Sequence, residues 1–386
     1  MVRGEKPIRI VCTGGGTGGH IYPGIAVADE ILSLFKQNGV PVEIYWIGSD
    51  RGMDKSLVEK NLVASGGSIT AFYGIPSGKL RRYFSLQNLI DLFRIAAGYM
   101  KAVHVLRKLK PAVVFSKGGF VSVPPCRAAK LLHIPYYTHE CDFTPGLATR
   151  LNSGGAKNVF VSYDETRQYL GRSVQAKCIV TGNPVRPVFY NDSSDAGKSF
   201  LKIPRDHKKP VLLVLGGSLG ALQINNLVTE NLSWLKEHFI VVHQTGKSFA
   251  EENEALLRSG DDSYKPYEFI YSEMPSVIQA ADVILSRAGA NSLWECAVCG
   301  KPLVLVPLCG SGTRGDQVDN ALYFEKQGAA YVLLGQDADS THLRSSLEKL
   351  LDAQNRRKLS EACNKLCAFE KPAQKIAQII FNGVAK

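Results

Sequence analysis

The chain has 386 residues, 45% of them hydrophobic and 21% charged, which leaves room for two domains, each with its own core. No apolar run reaches the roughly 18 residues that a membrane-spanning helix needs, and the opening Met-Val-Arg-Gly-Glu-Lys-Pro lacks the apolar region of a signal peptide, so we expect neither a transmembrane helix nor export. The net charge of +11 lies wholly in the first half: residues 1–185 hold 23 Lys and Arg against 12 Asp and Glu, whereas residues 186–386 hold 23 of each. A positive half points to an anionic partner, such as a phosphorylated ligand, a nucleic acid or an acidic membrane surface. Nine scattered cysteines fit reduced, buried thiols.

The first apolar run, Ile8 to Cys12, reads as a buried parallel strand. It leads into Gly14-Gly15-Gly16-Thr17-Gly18-Gly19-His20, a tight turn onto a helix. Glycine lets backbone N–H groups approach a phosphate, and a helix N-terminus adds a favourable dipole. His20 stands where a general base or hydrogen-bond donor meets a bound phosphate; a histidine that merely starts the helix is the alternative. Strand signals recur at Val42–Ile47, Ile69–Tyr73, Ala112–Phe115, Tyr136–Thr138, Val159–Val161 and Cys178–Val180, mostly separated by helical spacing.

Within that series, residues 73–110 carry Lys79, Arg81, Arg82, Arg94, Lys101, Arg107, Lys108 and Lys110 against one acid, Asp91. Tyr83, Phe84, Leu92, Phe93, Ile95 and Tyr99 interleave with them. Such a stretch suits an anionic bilayer surface; an amphipathic helix with its apolar face in the core is the other reading. Gly118-Gly119 follows the strand ending at Phe115, and His139-Glu140-Cys141-Asp142 follows Tyr136–Thr138. Both lie at strand carboxyl ends, the functional edge of a parallel sheet, where His139, Glu140 and Asp142 offer acid, base or hydroxyl-binding groups. A capped helix start explains the second segment equally.

Gly182-Asn183-Pro184-Val185-Arg186-Pro187 interrupts regular structure and marks a domain boundary, with Asp192 to Lys209 as a polar linker. The second half repeats the plan at Val211–Leu215, Phe239–His243, Glu268–Ile270, Val283–Leu285, Leu303–Val306 and Tyr331–Leu333. Gly216-Gly217-Ser218-Leu219-Gly220-Ala221 follows its first strand, in the place that 14–20 holds in the first half. After Val283–Leu285 comes Ser286 to Glu295, small residues opening a helix, with Glu295 one turn in to grip two ribose hydroxyls. Cys296 and Cys299 form a C-x-x-C that reads as packed helix, since no second pair lies at zinc spacing. Gly310–Gly315 and Asp316-Gln317-Val318-Asp319-Asn320-Ala321 suit sugar hydroxyls, and Asp337-Ala338-Asp339 reads as a surface loop. Pro372 to Val384 has helical apolar spacing and is expected to pack back on the first domain. Two doubly wound α/β domains result, with ligands at the strand carboxyl ends.

Taken in order, G-G-T-G-G-H at 15–20, H-E-x-D-x-T-P-G at 139–146, T-G-N-P-V-R at 181–186, G-G-S-x-G-A at 216–221, the R-x-G-A-x-S-x-x-E pattern ending at Glu295 and D-Q-x-x-N-A at 316–321 resemble the MurG-type glycosyltransferases. These add N-acetylglucosamine to undecaprenyl-diphospho-N-acetylmuramoyl pentapeptide (lipid I) to give lipid II. The resemblance covers nearly the whole chain. It implies a GT-B fold, two Rossmann-like domains whose parallel sheets face a central cleft. It also implies a first domain at 1–185 for acceptor and membrane, a second at 186–370 for UDP-N-acetylglucosamine, and a C-terminal helix at 371–386. Donor contacts are implied at Thr17, Gly18, Gly19, Asp142, Arg186, Ser218, Asn225, Ile270, Ala290, Asn291, Ser292, Leu293, Trp294, Glu295 and Gln317. His20 and Glu140 match acceptor-side positions and are the catalytic candidates. The expected partners are the UDP-N-acetylglucosamine donor, the undecaprenyl-diphosphate-linked acceptor and the anionic cytoplasmic face of the bacterial inner membrane.

An α-linked donor and a β1→4 product require one inverting displacement, with a base for the acceptor hydroxyl and stabilisation of departing UDP. Helix N-termini can hold the diphosphate, so neither a metal nor a cofactor is expected. UDP-N-acetylglucosamine 2-epimerases share this architecture and donor and are the alternative. Nucleic-acid binding is not expected, because no recognised module accompanies the basic residues.

Overall fold

The computed structural model describes residues 6–78, 86–191, 193–204, 206–216, 221–310, 313–368 and 371–385. Two compact units divide the chain: one runs to Arg186 and takes in the C-terminal helix, and the other spans Pro187–Ala368.

The first unit holds seven strands: β1 (Ile8–Thr13), β2 (Val42–Ser49), β3 (Ala71–Ile75), β4 (Val113–Ser116), β5 (Tyr136–Glu140), β6 (Asn158–Val161) and β7 (Cys178–Val180). They lie in the order β3-β2-β1-β4-β5-β6-β7, and each neighbouring pair is parallel, with Ile10 opposite Ile44 on one side and Val113 on the other. Both faces are covered, which is why these strands read as continuous apolar runs. Ile10, Cys12 and Phe115 pack with the helices Gly18–Gln37 and Pro372–Val384, whereas Val11, Ile47 and Val114 pack with Leu86–Leu109 and Val123–Leu131. The strand order reverses between β1 and β4, so the loops that leave these strands diverge and open a crevice at their carboxyl ends.

The second unit repeats this winding with β8 (Val211–Leu215), β9 (Ile240–Gln244), β10 (Tyr264–Tyr267), β11 (Val283–Ser286), β12 (Leu303–Leu305) and β13 (Ala330–Val332) in the order β10-β9-β8-β11-β12-β13. Its switch point falls between β8 and β11. One strand departs from expectation: Tyr264–Tyr267 forms β10, and residues 268–270 lie beyond it. Pro266 lacks the N–H of a ladder donor, yet β10 is an edge that pairs only with β9, so the missing N–H costs no ladder bond. The expected linker also contains structure. Ser194–Phe200 is a helix whose Ser193 cap accepts the Asp195 N–H at 3.2 Å. Gly197 lies so close to the helix Met274–Ala280 that a Cβ there would meet the Ser276 carbonyl oxygen at 2.0 Å.

The C-terminal helix Pro372–Val384 lays Ala373, Ile376, Ala377 and Ile380, one apolar stripe of helical spacing, into the core beside Gly18–Gln37. Phe381 meets Phe35 edge-on at 4.9 Å, and Lys375 Nζ donates to the Val180 carbonyl at 3.0 Å.

Candidate active site

In the first unit the glycine turn after β1 is held from below. Buried Asp54 accepts the Gly16 N–H through one carboxylate oxygen and the Ser49 N–H through the other, each at 2.8 Å. A Cβ on Gly15 would lie 1.8 Å from that carboxylate, so glycine there is a packing requirement. Trp46 Nε1 donates to the Gly14 carbonyl at 3.1 Å. Thr17 then stands exposed at the N-cap of the 20-residue helix Gly18–Gln37 and makes no side-chain cap. The helix N-terminus is thereby presented with glycine at its first two positions, an arrangement suited to a phosphate.

His20, partly exposed, packs its ring on the Gly118-Gly119 turn that follows β4. A Cβ on Gly119, at φ +77°, would lie 2.7 Å from His20 Cδ2 and 2.8 Å from the Gly15 carbonyl oxygen. The two glycine turns are therefore in direct contact, with His20 between them. Lys117 precedes this turn; its Nζ is buried and has no hydrogen-bond partner among the described residues. His139, on β5, is buried as well and donates Nε2–H to the Gly182 carbonyl at 3.0 Å. Burial, and after it the charge of Lys117, holds the His139 pKa well below the usual histidine value, so the ring is neutral.

Glu140 ends β5, and its carboxylate accepts the Cys141 and Asp142 N–H groups on one oxygen, at 2.9 and 3.0 Å, and the Gly146 N–H on the other, at 2.9 Å. That geometry shapes the 141–146 loop and leaves Glu140 poorly placed to exchange protons with a substrate. Glu140, Cys141 and Asp142 bring ligand atoms within 4.8 Å of one another, but the oxygens of Glu140 are already engaged by the backbone. Asp142 is half-buried beside it. Arg186 closes the unit with its guanidinium 4.8 Å from the Tyr22 ring centroid, a cation–π contact on the glycine-turn helix.

In the second unit Ser218 lies outside the described residues, with Gly216 before it at the end of β8 and the helix Leu222–Glu230 after it. Asn225 is buried, and both ends of its amide are engaged. Tyr264 O–H donates to His243 Nδ1 at 3.0 Å, His243 Nε2–H donates to Asn225 Oδ1 at 3.1 Å, and Asn225 Nδ2 donates to the Thr245 carbonyl at 2.8 Å. Asn225, matched to a donor position by resemblance, thus ties the helix after the glycine turn to the end of β9. Gln244 Oε1 accepts the Ile270 N–H at 2.9 Å and fixes the loop beyond β10.

The helix Ala290–Val298 opens at Gly289 without a side-chain cap. Ala290, Leu293 and Trp294 are buried, whereas Asn291, Ser292 and Glu295 are half-exposed. Of the run 290–295, then, only Asn291, Ser292 and Glu295 offer side chains to a ligand, and the others offer backbone. Gln317 Oε1 accepts the Leu308 N–H at 3.0 Å, and Asn320 Nδ2 donates to the Ala288 carbonyl at 3.2 Å, holding the loops after β11 and β12. Asp339 caps the helix Ser340–Lys349 by accepting the His342 N–H at 2.8 Å, a structural task for the D-A-D segment.

Burial pushes the His243 pKa down from the ordinary histidine value of roughly 6.5 to about 4. The unfolded chain therefore takes up a proton between those pH values while the folded one does not, and stability falls as pH drops through that window. His243→Gln keeps a donor toward Asn225 and removes the titration. Urea unfolding between pH 7 and 4 should show the wild type losing about 3 kcal/mol more than the variant; equal losses would contradict the buried relay.

Comparison with known proteins agrees with this layout. The glycosyltransferase family 28 N-terminal domain matches residues 10–161, and the family 28 C-terminal domain matches residues 211–380. The UDP-N-acetylglucosamine–N-acetylmuramyl-(pentapeptide) pyrophosphoryl-undecaprenol N-acetylglucosamine transferase of Treponema denticola is 48% identical over 384 residues, covering 96% of each chain. The crystal structure of Acinetobacter baumannii MurG superposes with a TM-score of 0.70 at 24% identity, covering 97% of this chain and 100% of that one. The UDP-GlcNAc 2-epimerase of Methanocaldococcus jannaschii gives 0.65 at 16% identity, covering 98% and 100%. At these identities the solved structures speak to the fold alone.

Proposed function

The chain belongs to the MurG-type branch of glycosyltransferase family 28, and we propose that it moves N-acetylglucosamine from UDP-N-acetylglucosamine to the 4-hydroxyl of the muramoyl sugar in lipid I, giving lipid II for peptidoglycan. Near full-length relatedness to transferases of that name carries this assignment. The fold is GT-B, which the epimerases share, so the acceptor requirement is what separates the two activities. Incubation with radiolabelled UDP-N-acetylglucosamine should place label in a lipid I analogue and release UDP in equal amount.

The reaction inverts the anomeric carbon in one displacement. His20, held between two glycine turns, takes or orients the proton of the attacking hydroxyl. The N-terminus of Gly18–Gln37, with Thr17, Gly18 and Gly19, stabilises phosphate charge. In the second unit Ser218, Ile270, the backbone of 290–294 and Gln317 hold the nucleotide sugar, and Glu295 accepts the ribose hydroxyls. Asp142 and Arg186 are further donor contacts. Glu140 keeps the 141–146 loop in shape and does not itself transfer protons.

The acceptor is a lipid, and the first unit carries a surface suited to one. No helix among the described residues is long and apolar enough to cross a membrane. A groove of about 850 Å³ runs between the helices Leu86–Leu109 and Val123–Leu131, lined by Leu92, Phe93, Tyr99 and Leu131 and by the bases Arg127 and Lys130. Phe93 is 71% exposed, Leu92 54% and Leu131 52%, so an unusually apolar patch faces outward beside positive charge. Lys79, Arg81, Arg82, Tyr83 and Phe84 of the same basic stretch lie outside the described residues. The enzyme docks here on the anionic cytoplasmic face of the inner membrane as a peripheral protein. Co-sedimentation should show binding to vesicles with anionic lipid that weakens as salt is raised, and Phe93→Ser should weaken it about tenfold. Equal, salt-insensitive binding to neutral vesicles would remove the electrostatic part.

A further inference from the structure

The mechanism above leaves one buried charge without a task. Lys117 stands at the carboxyl end of β4, 1% exposed, and its Nζ has no hydrogen-bond partner among the described residues. An ammonium removed from water without a partner is among the costliest groups a fold can bury, so a counter-charge belongs close by. The packing holds it in place: a Cβ on Gly14 would lie 3.4 Å from the Lys117 Cβ, and one on Gly24 would lie 3.5 Å from it. Its side chain therefore starts directly beneath the first glycine turn and the helix that follows.

Other features converge on the same point. Gly16, Gly118 and Gly119 all have positive φ, and the two turns they form touch each other. The N-terminus of the 20-residue helix Gly18–Gln37, to which Thr17 gives no side-chain cap, contributes positive potential. His139, also 1% exposed, has its Nε2–H on the Gly182 carbonyl and its Nδ1 buried without a partner among the described residues. Because the ring is neutral, Lys117 supplies the fixed charge at this point of the fold.

We propose that Lys117 is a binding residue for a phosphoryl group of a diphosphate substrate, its buried ammonium supplying the counter-charge beneath the paired glycine turns. A charge in a poorly polarisable interior is screened less than one on a surface, so it acts on an anion at the turns without lying exposed itself. The inference rests on the transferase assignment for its two candidate ligands, since donor and lipid acceptor both carry a diphosphate.

Lys117→Met removes the charge at similar length. Calorimetry with UDP and with inorganic pyrophosphate, the Michaelis constant for a lipid I analogue, and the melting temperature are measured on both proteins. The expected result is at least tenfold weaker engagement of one diphosphate ligand, with a melting temperature that stays the same or rises. Weaker UDP binding assigns the charge to the donor; a raised acceptor Michaelis constant with UDP unchanged assigns it to the acceptor. Unchanged UDP, pyrophosphate and acceptor values in the folded variant would overturn the proposal and leave Lys117 a packing residue. Should the methionine variant not fold, Lys117→Gln gives the same readout. Should the wild type transfer no sugar to lipid I, the assignment fails, while the UDP and pyrophosphate titrations still decide the role of Lys117.

Discussion

His20→Ala should bind UDP within about twofold of the wild type and turn over at least a hundredfold more slowly. The ring is the third residue of the helix Gly18–Gln37 and packs on Gly119, where any Cβ would strike it. Its orientation is therefore fixed by two glycine turns, as a group that moves or directs a proton requires. The nucleotide contacts proposed for the second unit do not involve it. A positioned base or orienting donor contributes about 10²–10⁴-fold to rate, far more than the twofold allowed for binding. Calorimetry with UDP and steady-state kinetics with a lipid I analogue separate the two quantities. A folded variant with near-normal turnover would make His20 a helix-start residue only, and Asp142 would be the next base to test, because the Glu140 oxygens are engaged by backbone N–H groups.

Glu295→Ala should raise the donor Michaelis constant about ten- to a hundredfold and leave the acceptor constant nearly unchanged. Glu295 is half-exposed, flanked by the buried Trp294 and Cys296. It lies a little over one turn into the helix Ala290–Val298, on the same partly exposed side as Asn291 and Ser292. A charge-assisted hydrogen bond to ribose hydroxyls contributes roughly 1.5–3 kcal/mol, which sets the expected range. The gain should disappear for a donor analogue lacking both ribose hydroxyls. An unchanged donor constant in a folded variant would remove Glu295 from the nucleotide site.

Much of this arrangement was legible in the sequence because it rests on local signals. Val211–Leu215 and Cys178–Val180 have the bounds read from apolar runs alone, and the glycine turns announce the first switch point. Features that depend on distant pairing were not legible. Asp54 reaches Gly16 across 38 residues, and nothing in Met-Asp-Lys announces a carboxylate that shapes the first turn. Asn225 is fixed by His243, 18 positions away, so a polar residue on a site helix proved to be part of a buried relay. β10 was missed because Pro266 breaks the strand pattern, and only the sheet order shows that it occupies an edge. Lys117 carried a signal that went unused: a lysine between the apolar strand Val113–Ser116 and a glycine pair sits where a parallel sheet places its ligands.

Inverting transfer to lipid I is tested most directly by following UDP-N-acetylglucosamine by proton NMR with the enzyme, first alone and then with a lipid I analogue. The account predicts a stable α-anomeric donor signal without acceptor. With acceptor, that signal should give way to a β1→4-linked disaccharide and one UDP per sugar moved. Appearance of UDP-N-acetylmannosamine without acceptor, or of an α-linked product with it, would contradict it.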